Sequence, residues 1–307
     1  MKRRISTGLG LGVILCVILA GIVWADSMTI VSDTSVMAYG PLTSYAEPGD
    51  VAWGAGAPAL ATWVRGDWPT ISGATWISTA YYVEESNEDS WRWFHDELEL
   101  CTGAYNIDAG AGVAATADNA ESFYFNGVFV GQDGVVEGPF VEDWAWGSII
   151  NYTIAPVPGL NTLDFIVRNY SGLNSPTGNP TGLLYKLVMT YDCPIEVTID
   201  IKPGSYPNAI NLSANGVIPV AVLGSADFDV NDVDPSTILL EGAQLRAKGK
   251  SGNCGSIEDV NGDGFDDLVV HVVDFTVAEG AATAVLTGNL WDETPIQGSD
   301  SILIVHE

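Results

Sequence analysis

The run Asp259-Val-Asn261-Gly-Asp263-Gly264-Phe265-Asp266-Asp267 has the spacing of a loop that wraps one hard cation. Asp259, Asn261 and Asp263 stand at positions 1, 3 and 5 and offer side-chain oxygens. Phe265 at position 7 would contribute its backbone carbonyl. Asp267 at position 9 would ligate directly or through water, and Asp266 would point outward. Gly264 at position 6 permits the sharp turn that aims the oxygens inward, and Gly262 relieves crowding. An all-oxygen set with no thiolate or imidazole suits Ca²⁺ better than Mg²⁺ or a soft metal. An EF-hand would have a bidentate Glu at position 12. Here that residue is Val270, and Leu268 to Val273 is β-forming rather than helical, so the loop should join two strands.

Two tryptophan pairs could recognise sugars. Trp91 and Trp93, and Trp144 and Trp146, are each spaced i, i+2, so in a strand each pair shares a face. Exposed rings of this kind stack on pyranose faces; buried ones are core. Glu142-Asp-Trp-Ala-Trp-Gly147 is loop-like, which favours Trp144 and Trp146 for the surface. Three acid pairs (Glu84 and Glu85, Asp96 and Glu97, Glu142 and Asp143) could serve a two-carboxylate hydrolase only if held at a defined separation in a cleft. None lies in a hydrolase signature. His95 is a lone histidine, and there is no nucleophile elbow, zinc-protease motif or phosphate-binding glycine loop. No catalytic residue is assigned, and the chain reads as a non-enzyme. A second acidic cluster, Asp227, Asp229, Asn231, Asp232 and Asp234, reads as a polar edge and Pro-turn, since no glycine closes it into a loop.

These groups need a scaffold and a compartment. Lys2, Arg3 and Arg4 followed by apolar Leu9 to Val23 and Val23-Trp24-Ala25 form a secretory signal, residues 1–25, with Asp26 as the first mature residue. The competing reading is an uncleaved N-terminal anchor. No later segment is apolar enough to span a bilayer. The mature chain would carry 8 Lys+Arg against 39 Asp+Glu, a formal charge of −31. Such a field repels nucleic acid and anionic membrane and attracts divalent cations. Cys101, Cys193 and Cys254 remain, enough for one disulfide and one thiol; the spacing leaves the pairing open.

Apart from the signal, the chain shows no sustained 3.6-residue period. Short apolar or alternating runs bounded by Gly, Pro, Asn and Asp predict an all-β protein. Ser122-Phe-Tyr-Phe-Asn126-Gly127-Val-Phe-Val130 predicts a hairpin on a type I′ turn. Strands are expected over 76–83, 161–167, 183–190, 195–201, 216–223 and 268–273. Eight of the ten tryptophans lie between Trp53 and Trp146, and only Trp291 follows Tyr191-Asp-Cys193-Pro194. That shift predicts two β-sandwich domains, 26–193 and 194–307.

The first of these resembles the galactose-binding-like jelly-roll domains. The likeness, over about 28–192, is carried by Ala117-Asp-Asn-Ala-Glu-Ser-Phe-Tyr-Phe-Asn-Gly127, Pro158-Gly-Leu-Asn-Thr-Leu-Asp-Phe-Ile-Val-Arg-Asn169 and Pro180-Thr-Gly-Leu-Leu-Tyr185. The second resembles a C-terminal β-domain of exported prokaryotic proteins, through Ile199-Asp-Ile-Lys-Pro-Gly-Ser205, Gly216-Val-Ile-Pro-Val-Ala-Val222, Phe228-Asp-Val230 with Val233-Asp-Pro-Ser-Thr237, and Gln297-Gly-Ser-Asp-Ser-Ile302. Its loop is similar to FG-GAP-type calcium loops. The resemblances imply a jelly roll followed by a smaller calcium-binding sandwich, and they transfer no activity. The expected protein is secreted or on the cell surface, with the periplasm as a further compartment. It binds Ca²⁺ and a carbohydrate or another surface partner. An extracellular structural or assembly protein, and a glycosidase with an unrecognised acid pair, are the alternatives.

Overall fold

A computed structural model describes residues 25–81, 89–139, 147–171, 180–212, 216–246, 254–278 and 280–305. Their regular structure is almost entirely β, with two short 3₁₀ turns at Val51–Trp53 and Val230–Asp232. Among the described residues no helix is long and apolar enough to cross a membrane.

Thirteen described strands precede Cys193. They are β1 (Asp26–Val31), β2 (Met37–Leu42), β3 (Ala57–Pro58), β4 (Leu60–Ala61), β5 (Ile77–Ser78), β6 (Ser90–Leu100), β7 (Tyr105–Asp108), β8 (Val113–Asp118), β9 (Ala120–Phe125), β10 (Val128–Asp133), β11 (Ile150–Tyr152), β12 (Gly159–Asn169) and β13 (Gly182–Asp192). One sheet runs β10-β9-β12-β6-β2-β3; the other runs β11-β8-β13-β5-β4, with β1 and β7 also on β13. Strand alternation sends Phe94, Leu98 and Leu100 of β6 and Phe123 and Phe125 of β9 toward Val113, Ala115, Leu183, Tyr185 and Leu187 of the second sheet. The two inner faces thus form one apolar layer, which is what a sandwich buries. Asn126 and Gly127, at φ 51° and 72°, close the β9–β10 hairpin in the left-handed region that a type I′ turn requires.

Within the predicted strand over 76–83, the described residues form strand at Ile77–Ser78, and 82–88 lie outside the described residues. Cys101, just beyond β6, and Cys193, just beyond β13, form a disulfide that ties the two sheets together at one end. Cys254 is not disulfide-bonded.

Beyond Cys193 a separate apolar cluster is drawn from Val197 to Ile302. Its strands are β14 (Ile195–Glu196), β15 (Ile199–Ile201), β16 (Ala209–Asn211), β17 (Ile218–Val222), β18 (Val233–Leu240), β19 (Gly255–Glu258), β20 (Asp267–Val272), β21 (Thr283–Leu290), β22 (Pro295–Ser301) and β23 (Leu303–Val305). The sheets run β14-β22-β21-β18 and β15-β17-β20-β19, with a β16-β23 pair. The single strand expected over 195–201 is split: β14 pairs in parallel with β22, whereas β15 pairs antiparallel with β17. Gly298 allows this change of sheet, because a Cβ there would stand 2.4 Å from the Val197 carbonyl oxygen.

Candidate functional site

The acidic run does link two strands, β19 and β20, which are antiparallel neighbours paired from Glu258 and Asp267. Gly262 and Gly264 take φ of 78° and 90°, which turns the chain sharply as their spacing predicts. The oxygens are held by the loop's own backbone. Asp259 accepts from the N–H of Gly262 (2.7 Å) and of Gly264 (3.1 Å). Asn261 Oδ1 accepts from the Asp263 N–H, and Asp263 Oδ1 from the Phe265 N–H. Asn261 Nδ2 donates to Asp263 Oδ2 at 2.8 Å. Asp259, Asn261, Asp263, Phe265 and Asp266 are all exposed.

Asp267 differs from the rest of the set. It is fully buried, its Oδ1 accepts from the Gly224 N–H and its Oδ2 from the Val260 N–H, each at 2.9 Å. It therefore joins the loop to the chain leaving β17. Spacing puts it at position 9, but β20 lies between β17 and β19 and is covered on both faces, so even its first side chain, on the face opposite the core residues Leu268, Val270 and Val272, is buried.

The fit to a cation is one of chemistry. Every donor is a carboxylate, amide or carbonyl oxygen, and each oxygen that accepts one N–H keeps a second lone pair. Among the described residues no three acid, histidine or cysteine side chains converge on one point. In the other acidic cluster, Asp229 caps the turn Val230–Asp232 through the Asn231 N–H, and Asp234 accepts from Ser236.

The second candidate lies on the outer face of the six-stranded sheet. Register places Phe129 of β10, Tyr124 of β9, Asp164 of β12 and His95 of β6 in one row across four strands. Ile166 and Trp93 are also cross-strand partners, with Tyr39 of β2 opposite Trp93. Tyr39 stacks on Trp93 with centroids 4.1 Å apart. Asp164, nearly buried, accepts from Trp93 Nε1 at 2.8 Å and meets His95 Nδ1 at 2.7 Å. His95 Nε2 stands 3.4 Å from the exposed Glu97. The hydrogen bond to Asp164 raises the His95 pKa above its ordinary value, and partial burial opposes it. Tyr45 and Tyr124 join hydroxyl to hydroxyl at 2.8 Å, with Glu47 also interacting. Phe129 packs edge-on against Tyr124 and is about half exposed.

The structure separates the predicted tryptophans. Trp93 remains partly accessible. Trp91 is buried, its Nε1 donates to the Val136 carbonyl, and the Arg168 guanidinium lies 5.0 Å from its ring centroid. Arg168 is itself ion-paired with Asp89. Trp91 thus belongs to the packing beneath the loops over this face, because those loops cover its end of the sheet. Trp144 and Trp146 lie outside the described residues, as do Glu84, Glu85, Glu142 and Asp143. Asp96 and Glu97 point to opposite faces: Asp96 is buried and accepts from the Tyr185 hydroxyl at 2.6 Å, while Glu97 is exposed. They do not form an acid pair. The Asp164 link to His95 was not legible beforehand, since 69 residues separate the two.

No protein-family model and no curated protein matches the chain. Among solved structures, Bifidobacterium dentium β-glucuronidase complexed with coumarin-3-O-glucuronide aligns with 90% of this chain. The identity is 13% and the TM-score 0.26, and this chain spans about half (48%) of that one. A likeness that low carries no argument about activity.

Proposed function

We propose that the chain is an exported, non-catalytic calcium-binding protein of two β-domains, a jelly roll and a smaller sandwich, and that the first engages carbohydrate. The observation that carries the carbohydrate reading is the face made by Tyr39, Trp93, His95 and Asp164. It combines partly accessible aromatic rings, held in place by the buried Asp164, with the polar edge of His95 and the exposed Glu97 carboxylate, the two elements that recognise a sugar's apolar face and its hydroxyls. The acidic surroundings, Glu47 and Glu97, favour neutral over anionic glycans. Export rests on the sequence of residues 1–25.

Tryptophan fluorescence should shift on titration with neutral polysaccharides, and Trp93→Ala should weaken binding by roughly 10-fold or more. Trp91→Phe would disturb the fold rather than the ligand. A glycan array without a hit, together with unchanged fluorescence, would count against the reading.

Ca²⁺ would be held by Asp259, Asn261, Asp263 and the Phe265 carbonyl, with Asp267 setting the loop from inside. Bound there, the ion would neutralise part of a crowded anionic turn. Loops with few protein ligands bind at about 10⁻⁴–10⁻³ M. Ten millimolar Ca²⁺ should therefore stabilise the folded chain by about 1.5–3 kcal/mol, seen as a higher melting temperature than in chelator. Asp263→Ala should remove that increment. Identical melting in Ca²⁺ and chelator would overturn the assignment.

A further inference from the structure

A buried carboxyl in the first apolar layer belongs to neither candidate site. Glu121 of β9 is completely buried on the inward side of its sheet, next to Phe123. Its Oε1 accepts from the Tyr152 hydroxyl at 3.1 Å, while its Oε2 has no hydrogen-bond partner. Directly across the strand pair stands Asp133, the last residue of β10. Directly opposed side chains in an antiparallel pair share a face, with Cβ atoms about 5 Å apart. Two carboxylates so placed in an apolar layer do not both ionise. A carboxyl proton on Oε2 would resolve the orphan atom by donating to the opposed Asp133 carboxylate.

The other neighbours fit this account. From β11 the group facing Glu121 is Tyr152, whose pKa is raised by burial and by Glu121, so it stays neutral. From β8 the Ala117 backbone contributes a hydrogen bond, and from β12 the opposed residue is Val167. The Tyr152 ring lies against Gly131, where a Cβ would stand 3.0 Å from it, so β10 and β11 meet at this cluster. β10 pairs only with β9 among the described strands and is the sheet's edge.

We propose that Glu121 and Asp133 share one proton, and that its loss is a pH-sensitive release for the edge strand Val128–Asp133. Deprotonation gives that proton to solvent and leaves two negative charges in a layer that cannot solvate them. The strand that can move away is β10, which carries Phe129 and so one end of the outer aromatic row. Burial, reinforced by Asp133, pushes the Glu121 pKa up to about 8. The contribution to stability is therefore complete below the unfolded value near 4.5 and is lost as pH rises through about 8. Asp118, raised by burial to about 7, has the same sign over an overlapping range, and its effect is common to every variant compared.

The test compares the full chain with Glu121→Gln and Asp133→Asn between pH 5 and 9.5, with and without a chelator. The unsubstituted chain should lose about 3 °C or more of melting temperature that Glu121→Gln does not lose. At pH 9, amide exchange over 128–133 should be roughly fivefold faster than in Glu121→Gln at the same pH. Asp133→Asn should show a smaller alkaline fall, because the repulsion is gone. Parallel melting profiles in all three proteins would overturn the proposal. So would a difference that disappears in chelator, since that outcome means a bridging cation rather than a proton.

Discussion

Reduction of the Cys101–Cys193 disulfide is expected to destabilise the folded chain by on the order of 4–5 kcal/mol. The bond joins residues 92 apart. A loop of that length gives up a large part of the unfolded chain's freedom when it is closed, and each bond opened returns that freedom to the unfolded state. The two cysteines end strands of opposite sheets, so the bond acts across the sandwich rather than within a hairpin. The turn behind Cys101 is docked as well: Gly103, at φ 76°, lies against Pro194 and Gln297, and Asn106 Nδ2 donates to Asp192. Calorimetry in a reductant, and of Cys101→Ser with Cys193→Ser, should show a melting temperature lower by roughly 10 °C or more. Unchanged melting would mean that this pair does not form. Peptide mapping that finds Cys254 bonded instead would overturn the pairing directly.

How much was legible in the sequence depended on how local the information was. The Asn126-Gly127 hairpin was legible because two adjacent residues dictate the turn and alternation dictates the strands. Gly262 and Gly264 fall in the same class, since both take the positive φ that the loop spacing requires. The separation of Trp91 from Trp93 was not legible. Period-2 alternation puts both on one face, but what covers that face is set by loops 42–56 and 134–139, which come from elsewhere in the chain. The His95–Asp164 contact and the disulfide share this property: each is fixed by register between distant strands. The change of sheet between Glu196 and Ile199 was hidden because a strand's residue pattern does not name its partner. The burial of Asp267, read from spacing as a position-9 ligand, was hidden for a related reason. Motif spacing treats a loop as an isolated object, whereas β20, as an interior strand, buries its first residue.

That burial gives Asp267 the largest expected single-residue effect in the second unit, and one that does not need metal. Its two oxygens meet the N–H groups of Gly224 and Val260, which belong to different loops. The approach is close: a Cβ on residue 224 would stand 2.1 Å from the Asp266 carbonyl oxygen, so glycine alone fits there. Asp267→Ala strands two donors in a closed site, and an unsatisfied buried donor costs about 1–3 kcal/mol, more where a charged acceptor is lost. The loss should be about 3–5 kcal/mol in the presence of chelator. Asp267→Asn keeps the shape but turns an amide N–H₂ toward one of the two N–H groups, so it should recover only part of the loss. The exposed Asp263 predicts the converse: Asp263→Ala should leave stability in chelator within about 0.5 kcal/mol and act only on the Ca²⁺ increment. Denaturant melts of the three variants, each with and without Ca²⁺, separate an internal anchor from a surface ligand. If Asp267→Ala loses only the Ca²⁺ increment, Asp267 is a ligand and not an anchor.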